Sequence, residues 1–492
     1  MHQLKNSRLR FEYLVLSAVI VVYISYVILF FHKSFISDEG GYLYQAKTLV
    51  YKGEYLITNS NQNKWFAGRI IPILYYAIII LFFGTDISIL RLSTIPIVIV
   101  GGLAWFLLIR SLHGRDYGLG ALTMYLFAPI TLMLGSWNLF EPFSALFIVI
   151  SLITLNKWTL SPEKWYWLWL TGISIGAGYL CKEDVISCAL AIGVFILGYG
   201  ISHQVRIEPD HSSKLLVTTQ LRNIMSYVMG GLLLYVPRLM IVGFTEPQVA
   251  MVAQSVSSSQ ITGTGLIVNP FGGNNIIKII LSAGYALAFI GFVFLCISYY
   301  FITQLRDDSK SVLGSIKAIH MVLLAWSIIN TSLIVIWTVQ ARYFYNYSII
   351  LGGFLFLINN RRVLLFLMIG TIFGNMIIFG VVGERYEYTD PNMTELIEST
   401  AEFIQINVPS NSTIFTTFTL QTQLPYLMGV AEYKYTWIYH GNNSALPNTN
   451  GTSNYIVILG LNTLLDVAKN ESLPLLFVKS GISTSINLFS LS

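Results

Sequence analysis

The sequence predicts a polytopic α-helical membrane protein of about eleven spans with a small extracytoplasmic α/β domain at its end, and three observations carry that expectation. First, 54% of the 492 residues are hydrophobic and only 11% are charged, a balance that suits repeated burial in lipid rather than one water-soluble core. Second, apolar runs recur along the chain, each near the ~20 residues that carry a helix across a ~30 Å hydrocarbon core. Third, lysines and arginines gather on alternate connections between those runs.

Taken in order, Lys5, Arg8 and Arg10 precede the first apolar run, and no small-residue cleavage site follows, so the opening reads as an uncleaved signal anchor. Spans are expected near 12–31, 89–109, 118–136, 140–156, 165–181, 185–201, 223–243, 276–301, 319–339, 344–359 and 363–382. Basic residues then fall at Arg110 and Arg115; at Lys157 and Lys164; at Arg206, Lys214 and Arg222; at Arg306, Lys310 and Lys317; and at Arg361 and Arg362. The positive-inside rule puts those loops in the cytoplasm.

The run Ile70 to Gly84 tests this scheme, because counting it as a span would turn every later basic loop outward. At about fifteen residues it is short for a crossing and reads as a helix lying at the outer surface. The first outer loop then runs from 32 to 88, and an odd number of spans leaves the tail outside. The expected division is a transmembrane unit over 1–383 and an outer α/β domain over 384–492. That tail carries glycosylation triplets beginning at Asn392, Asn411, Asn442, Asn450 and Asn470. It also alternates a helical stretch (Met393 to Ile406), strand-like stretches (Thr413 to Phe418, Tyr455 to Leu459, Pro474 to Val478) and a second helix (Thr463 to Lys469).

Several function classes fall away. The net charge of +5 is spread over loops and implies no nucleic-acid partner. Cys181, Cys188 and Cys296 all lie in apolar runs, which argues against a disulfide framework and a cysteine-rich zinc site. No phosphate-cradling loop ending in Gly-Lys-Ser/Thr is present, so no soluble nucleotide site is expected.

The charges that remain collect at the non-cytoplasmic ends: Asp38 and Glu39, Lys64 and Arg69, Glu141, Lys182 with Glu183 and Asp184, Arg238 inside a span, and Arg342 with Tyr343. A charge at the centre of a span costs ~3 kcal/mol on insertion scales, so such residues are functional by default. Taken singly, Glu141 and Lys182 could equally be a salt bridge that fixes helix packing, and Arg238 the structural partner of an acid. Taken jointly, acids and bases converging on one membrane face look like a site. A transporter or flippase is the reading from another class, with these charges as substrate or proton sites. Against it stand the absence of a detectable inverted repeat and the sizeable outer tail.

Asp38-Glu39 followed by Tyr42, Ala46, Leu49 and Gly53, then Pro72, Phe83-Gly84 and Arg91-Leu92, resembles the opening of the GT-C superfamily of membrane glycosyltransferases. The closest likeness is to the branch containing protein O-mannosyltransferases and the aminoarabinose transferases of lipid A. Arg110 to Arg115 with Gly118-Leu119-Gly120-Ala121 resembles that family's turn after the second span, Gly176 to Lys182 its glycine-rich span ending in lysine, and Arg342-Tyr343 its late Arg-Tyr motif. The resemblance covers about residues 12 to 360, and the chain departs from it in having Glu141 where the family usually has aspartate and Glu183-Asp184 after Lys182.

The resemblance implies transfer of a sugar, mannose or similar, from a polyprenyl or dolichyl phosphate carrier to a lipid, glycan or protein acceptor outside the cytoplasm. The enzyme would sit in the plasma membrane, or in the endoplasmic reticulum membrane of a eukaryote, with membrane lipids around it. It implies Asp38 as general base, with Glu39 and Glu141 as the other acids of the catalytic centre. Lys182, Arg342 and Tyr343 match its motifs, and with Lys64, Arg69 and Arg238, cations suited to the charge on a leaving lipid phosphate, they are the candidate substrate-binding residues. No obligatory metal or cofactor is expected, although Asp38 with Glu141 has the oxygen ligands that suit a hard divalent cation.

Overall fold

The computed structural model describes residues 2–29, 37–53, 68–134, 140–182, 184–207, 213–242, 290–306, 316–337, 345–383, 393–416, 426, 436–439, 454–459, 475–480 and 485–491. Through residue 383 these are helical. Helix α1 spans His2–Leu29, α2 Ser37–Lys52, α3 Ile70–Phe83, α4 Ile87–His113, α5 Arg115–Phe127, α6 Pro129–Leu134 and α7 Glu141–Leu160. There follow α8 at Tyr166–Tyr179, α9 at Val185–Ile207, α10 at Ser213–Val242, α11 at Ile290–Arg306, α12 at Ala318–Trp337, α13 at Tyr347–Phe354 and α14 at Arg361–Gly383.

Among the described residues, Glu12–Leu29, Ile87–His113 and Glu141–Leu160 are long and apolar enough to cross a membrane by length and composition. Shorter apolar helices occupy Ile70–Phe83, Val185–Tyr199, Ile290–Arg306, Ala318–Ser332 and Tyr347–Leu357. The 14 residues of α3 rise about 21 Å, short of the ~30 Å hydrocarbon core. Its end is set locally. Gly84 takes a φ of 82° and donates its N–H to the Ile80 carbonyl, after which the Asp86 carboxylate caps α4 by accepting from the Ser88 N–H at 2.7 Å and the Ile89 N–H at 3.3 Å. Tyr75 then donates to the Ser93 carbonyl across the hairpin, at 2.5 Å.

Two expected spans take a different form. The run 118–136 breaks into α5 and α6 at Ala128, whose ψ of 142° is extended. Pro129 is the reason, since a proline pushes the preceding residue out of the helical region and cannot itself donate to the previous turn. The run 344–359 forms only α13 and one 3-10 turn at Leu355–Leu357. For the run 276–301, the part before residue 290 lies outside the described residues.

Helices α8 and α10 cross at glycines. A Cβ on Gly172 would run into the Tyr227 carbonyl, one on Gly230 into the Trp169 carbonyl, and one on Gly176 would stand 2.8 Å from the Gly231 carbonyl. Small residues at such a crossing let backbones approach where lipid supplies no hydrophobic drive between helices. The approach brings the end of α10, with Arg238, beside the end of α8, with Tyr179.

The opposite end of the bundle is tied by a second set of polar contacts. Arg110 Nε lies 3.0 Å from Glu12 Oε1. The Nε2 atoms of His113 and His320 are 3.0 Å apart, and the His113 ring stacks on Phe356.

Beyond the bundle, α15 (Met393–Asn407) packs on a five-stranded sheet of β1 (Thr413–Thr416), β2 (Thr436–Tyr439), β3 (Asn454–Leu459), β4 (Leu475–Ser480) and β5 (Ser485–Leu491). The strand order is β2-β1-β3-β5-β4. β1 pairs in parallel with β2 and β3, while β5 runs antiparallel to β3 and β4. The helix from Met393 and three of the strands sit where the sequence puts them, β2 and β5 are additional, and the expected helix Thr463 to Lys469 lies outside the described residues.

The glycine crossing makes a stability prediction. Gly172→Val forces α8 and α10 apart and should cost on the order of 1–3 kcal/mol or more, read as a lower unfolding temperature of the purified protein. Gly198→Ala, where a Cβ meets open space, should leave that temperature unchanged or raise it. Equal melting of the two variants would remove the crossing as a packing constraint.

Candidate active site

Seven charged side chains from separate helices meet at one end of the bundle, and each sits near a helix terminus. Glu39 belongs to the first turn of α2 and Arg91 to the second turn of α4. The Arg91 Nε donates to Glu39 Oε1 at 2.8 Å and its Nη2 to Glu39 Oε2 at 2.7 Å, a two-pronged pair with Glu39 wholly buried. The planar guanidinium matches the carboxylate edge, which gives geometric specificity as well as attraction. This pair fixes the height and rotation of the α2 turn that carries Asp38.

Glu141 opens α7, and Lys182 stands just beyond α8. The two helices are sequential neighbours running in opposite directions, so the start of one lies beside the end of the other. Acid at a helix start and base at a helix end each complement the helix dipole. The chain leaves α8 in a tight turn, with the N–H groups of Cys181 and Lys182 both donating to the Gly178 carbonyl at 2.9 Å. Lys182 Nζ thereby reaches Glu141 Oε1 at 2.5 Å and stands 3.8 Å from Asp184 Oδ2. Asp184 Oδ2 also accepts from Asn346 Nδ2 at 3.2 Å.

Arg69 and Arg238 lie between these pairs, both almost fully buried. The Arg69 guanidinium is 5.3 Å from the Phe140 ring centre and 6.0 Å from that of Tyr42, and those two rings pack against each other. Arg238 lies 4.2 Å over the Tyr179 ring. Its Nη2 rests on Gly68, where a Cβ would come within 2.8 Å, so a larger residue before Arg69 would displace the Arg238 guanidinium. Phe140, which meets Tyr42 of α2 and Arg69 and directly precedes Glu141, joins the clusters into one region.

Among the described residues of the tail, Tyr426 reaches this region. The Tyr426 hydroxyl donates to the Thr85 carbonyl at 2.7 Å, at the turn between α3 and α4, and its ring lies 5.7 Å from the buried Lys47 ammonium of α2. Burial first, then the nearby charges of Glu39 and Asp86, hold this phenol well above its ordinary pKa, so it remains a donor.

Of the residues singled out from the sequence, the structure brings together Glu39, Arg69, Glu141, Lys182 and Arg238. Asp38 lies in the first turn of α2 by its backbone, and its side chain is outside the described set. Lys64, Glu183, Arg342 and Tyr343 are outside the described residues. Sequence reasoning gave no role to Arg91, although an arginine in the second turn of an apolar helix was a signal that an acid must meet it. It also gave none to the aromatic floor of Tyr42, Phe140 and Tyr179. Among the described residues, no three histidine, cysteine or acidic side chains gather at metal-ligand spacing.

Taken as an electrostatic device, the site holds two acid–base pairs and two further guanidiniums over aromatic faces, an arrangement that can receive an anion. Removing one partner of a buried pair leaves an uncompensated charge, a loss of ~3–5 kcal/mol. Arg91→Leu should therefore lower the unfolding temperature sharply, and Glu39→Gln combined with Arg91→Leu should recover much of the loss. A double variant no more stable than Arg91→Leu would show that the pair is not what the helices depend on.

Residues 62–244 match the family described as dolichyl-phosphate-mannose-protein mannosyltransferase. No curated protein sequence matches the chain. Among solved structures, the chain is similar to ArnT from Cupriavidus metallidurans in the apo state, with a TM-score of 0.60 and 13% identity over 96% of this chain and 98% of that one. The undecaprenyl-phosphate-bound form of the same protein gives a TM-score of 0.58 and 12% identity over 96% and 97%. The oligosaccharyltransferase of Archaeoglobus fulgidus gives a TM-score of 0.55 and 12% identity over 91% of this chain and 69% of that one. The family match covers residues 62–244, and the fold in which they lie is shared along nearly the whole chain with ArnT and the archaeal oligosaccharyltransferase.

Proposed function

We propose that the enzyme transfers a sugar, mannose or a close relative, from a polyprenyl-phosphate carrier to an acceptor on the non-cytoplasmic face of the membrane. The observation that carries this reading is the Arg238 guanidinium lying against Gly68, the residue before Arg69, with Arg69 over the Phe140 ring that directly precedes Glu141 of the Glu141–Lys182 pair. A lipid phosphate needs such fixed positive charge at the membrane boundary, and its prenyl tail needs only apolar helix surface. The ArnT structure bound to undecaprenyl phosphate supports a carrier of this class.

In this mechanism the acceptor attacks the anomeric carbon as the bond from that carbon to the phosphate oxygen breaks. Asp38 accepts the acceptor proton, and the polyprenyl phosphate leaves with the bonding electron pair. Arg69, Arg238, Lys182 and Arg342 stabilise the charge that gathers on the phosphate, with Lys64 and Tyr343 completing the donor contacts. Glu39 acts through Arg91 by holding the α2 turn in place, and Glu141 orients Lys182. The reading keeps the expected sidedness, with α3 lying at the outer surface, a transmembrane unit over 1–383 and a tail domain over 384–492 on the same side as Asp38. The contact from Tyr426 to Thr85 supports that common side.

Two measurements test these statements. Asp38→Asn keeps the shape of the side chain and removes the proton acceptor, so transfer from a polyprenyl-phosphate sugar in proteoliposomes should fall by ~10²- to 10⁴-fold while insertion and folding are normal. Transfer near the unmutated rate would move the base elsewhere. For sidedness, cysteines placed at Ser60 and Ser453 should both label from outside intact cells. Labelling of one without the other would remove a span from the count.

A further inference from the structure

The departure from the family pattern after Lys182 has a structural partner that the mechanism above does not use. Asp184 Oδ2 accepts from Asn346 Nδ2 at 3.2 Å while standing 3.8 Å from Lys182 Nζ. Asn346 is 1% exposed and immediately precedes α13. The first turn of α9, directly after Asp184, is held from α12: Ser187 donates to Asn330 Oδ1 at 3.1 Å, and Trp326 Nε1 donates to Ser187 Oγ at 2.9 Å. The short connection between α8 and α9, which carries Lys182, is therefore hydrogen-bonded to the residue that opens α13, and the first turn of α9 that follows it is hydrogen-bonded to α12.

We propose that Asp184 and Asn346 are positioning residues for donor recognition, locking the Lys182 ammonium at the height where a carrier phosphate meets it. This rests on the function proposed above. Lys182 lies between two acids at unequal distances, 2.5 Å from Glu141 and 3.8 Å from Asp184. A phosphate that approaches Lys182 competes with Glu141 for it, and a lysine stem is flexible enough to follow its counter-ion. Asp184 supplies a second acceptor that stays in place, because the Asn346 amide holds its carboxylate and Asn346 is itself buried at a helix start. The ammonium is then offered to the phosphate without being drawn out of the site, and α13 sets the register. A hydrogen bond that served packing alone would act on stability and leave phosphate affinity untouched.

The test uses the full-length protein in detergent micelles with polyprenyl phosphate, the released carrier, as the probe, and reads binding and unfolding temperature separately. Asn346→Ala and Asp184→Ala should each weaken binding by about tenfold, which is ~1.4 kcal/mol, and the double variant should be no worse than either alone. Asp184→Asn still accepts from Asn346 and should keep most of the affinity. Asn346→Asp sets two carboxylates face to face and should bind weakly, whereas its combination with Asp184→Asn reverses the hydrogen bond and should restore binding. Asn346→Ala and Asp184→Ala variants that melt lower yet bind as well as the unmutated protein would overturn the proposal, as would a reversed pair that binds no better than Asn346→Asp. If the unmutated protein fails to bind polyprenyl phosphate, the carrier reading falls and takes this proposal with it.

Discussion

A carboxylate and a guanidinium carried into a bundle of apolar helices lose their hydration, and neither can stay there without the other. Glu39 and Arg91 meet this constraint with a two-pronged pair that spans from α2 to α4. Every other part of the candidate site is placed relative to these two helices. The α2 turn carries Asp38, the hairpin before α4 carries Arg69 at the start of α3, and the tail touches the turn between α3 and α4 through Tyr426. A pair that fails to form would release the turn bearing the proposed base as well as destabilise the bundle.

The second set of placements comes from helix ends. An α-helix presents unpaired N–H groups at its start and carbonyls at its end, so an acid is favoured at one and a base at the other. Sequential antiparallel helices bring opposite ends together, and Glu141 and Lys182 meet for that reason. Arg238 arrives by a different route. Its helix approaches α8 closely because Gly172, Gly176, Gly230 and Gly231 leave the backbones room, and the guanidinium then settles over Tyr179 and against Gly68. Small residues at one crossing thus have a chemical consequence some turns away, since a wider crossing would separate Arg238 from Arg69.

The far end of the bundle is neutralised differently. Glu12 pairs with Arg110. The backbone N–H of Lys317 donates to His320 Nδ1, which leaves the proton of a neutral His320 on Nε2, facing His113 Nε2. These contacts tie α1 to α4 and α4 to α12, and Arg361 pairs with Asp116 beside them. The described contacts at this end join helices, whereas the other end brings together the residues proposed to hold the donor phosphate.

Much of this was legible in the sequence, and the rest was not for identifiable reasons. Apolar runs determine α4 and α7, because a continuous run of that length has no other stable state in lipid. Local chemistry also ends α3, through Gly84 and Asp86. The break at Ala128 was equally local, and Pro129 announced it. In the tail, β2 and β5 were harder to read: β2 is only four residues long, and both depend on pairing with distant strands. At the site, the residue types were visible, and the Glu141–Lys182 pair could be anticipated as a salt bridge. The Glu39–Arg91 pair joins residues 52 apart, and the Asp184–Asn346 bond residues 162 apart. The sequence by itself determined that charges of both signs would have to be buried at one end of an apolar bundle. Which acid meets which base was decided by the tertiary structure alone, because that choice depends on helix crossing and register, which no local pattern encodes.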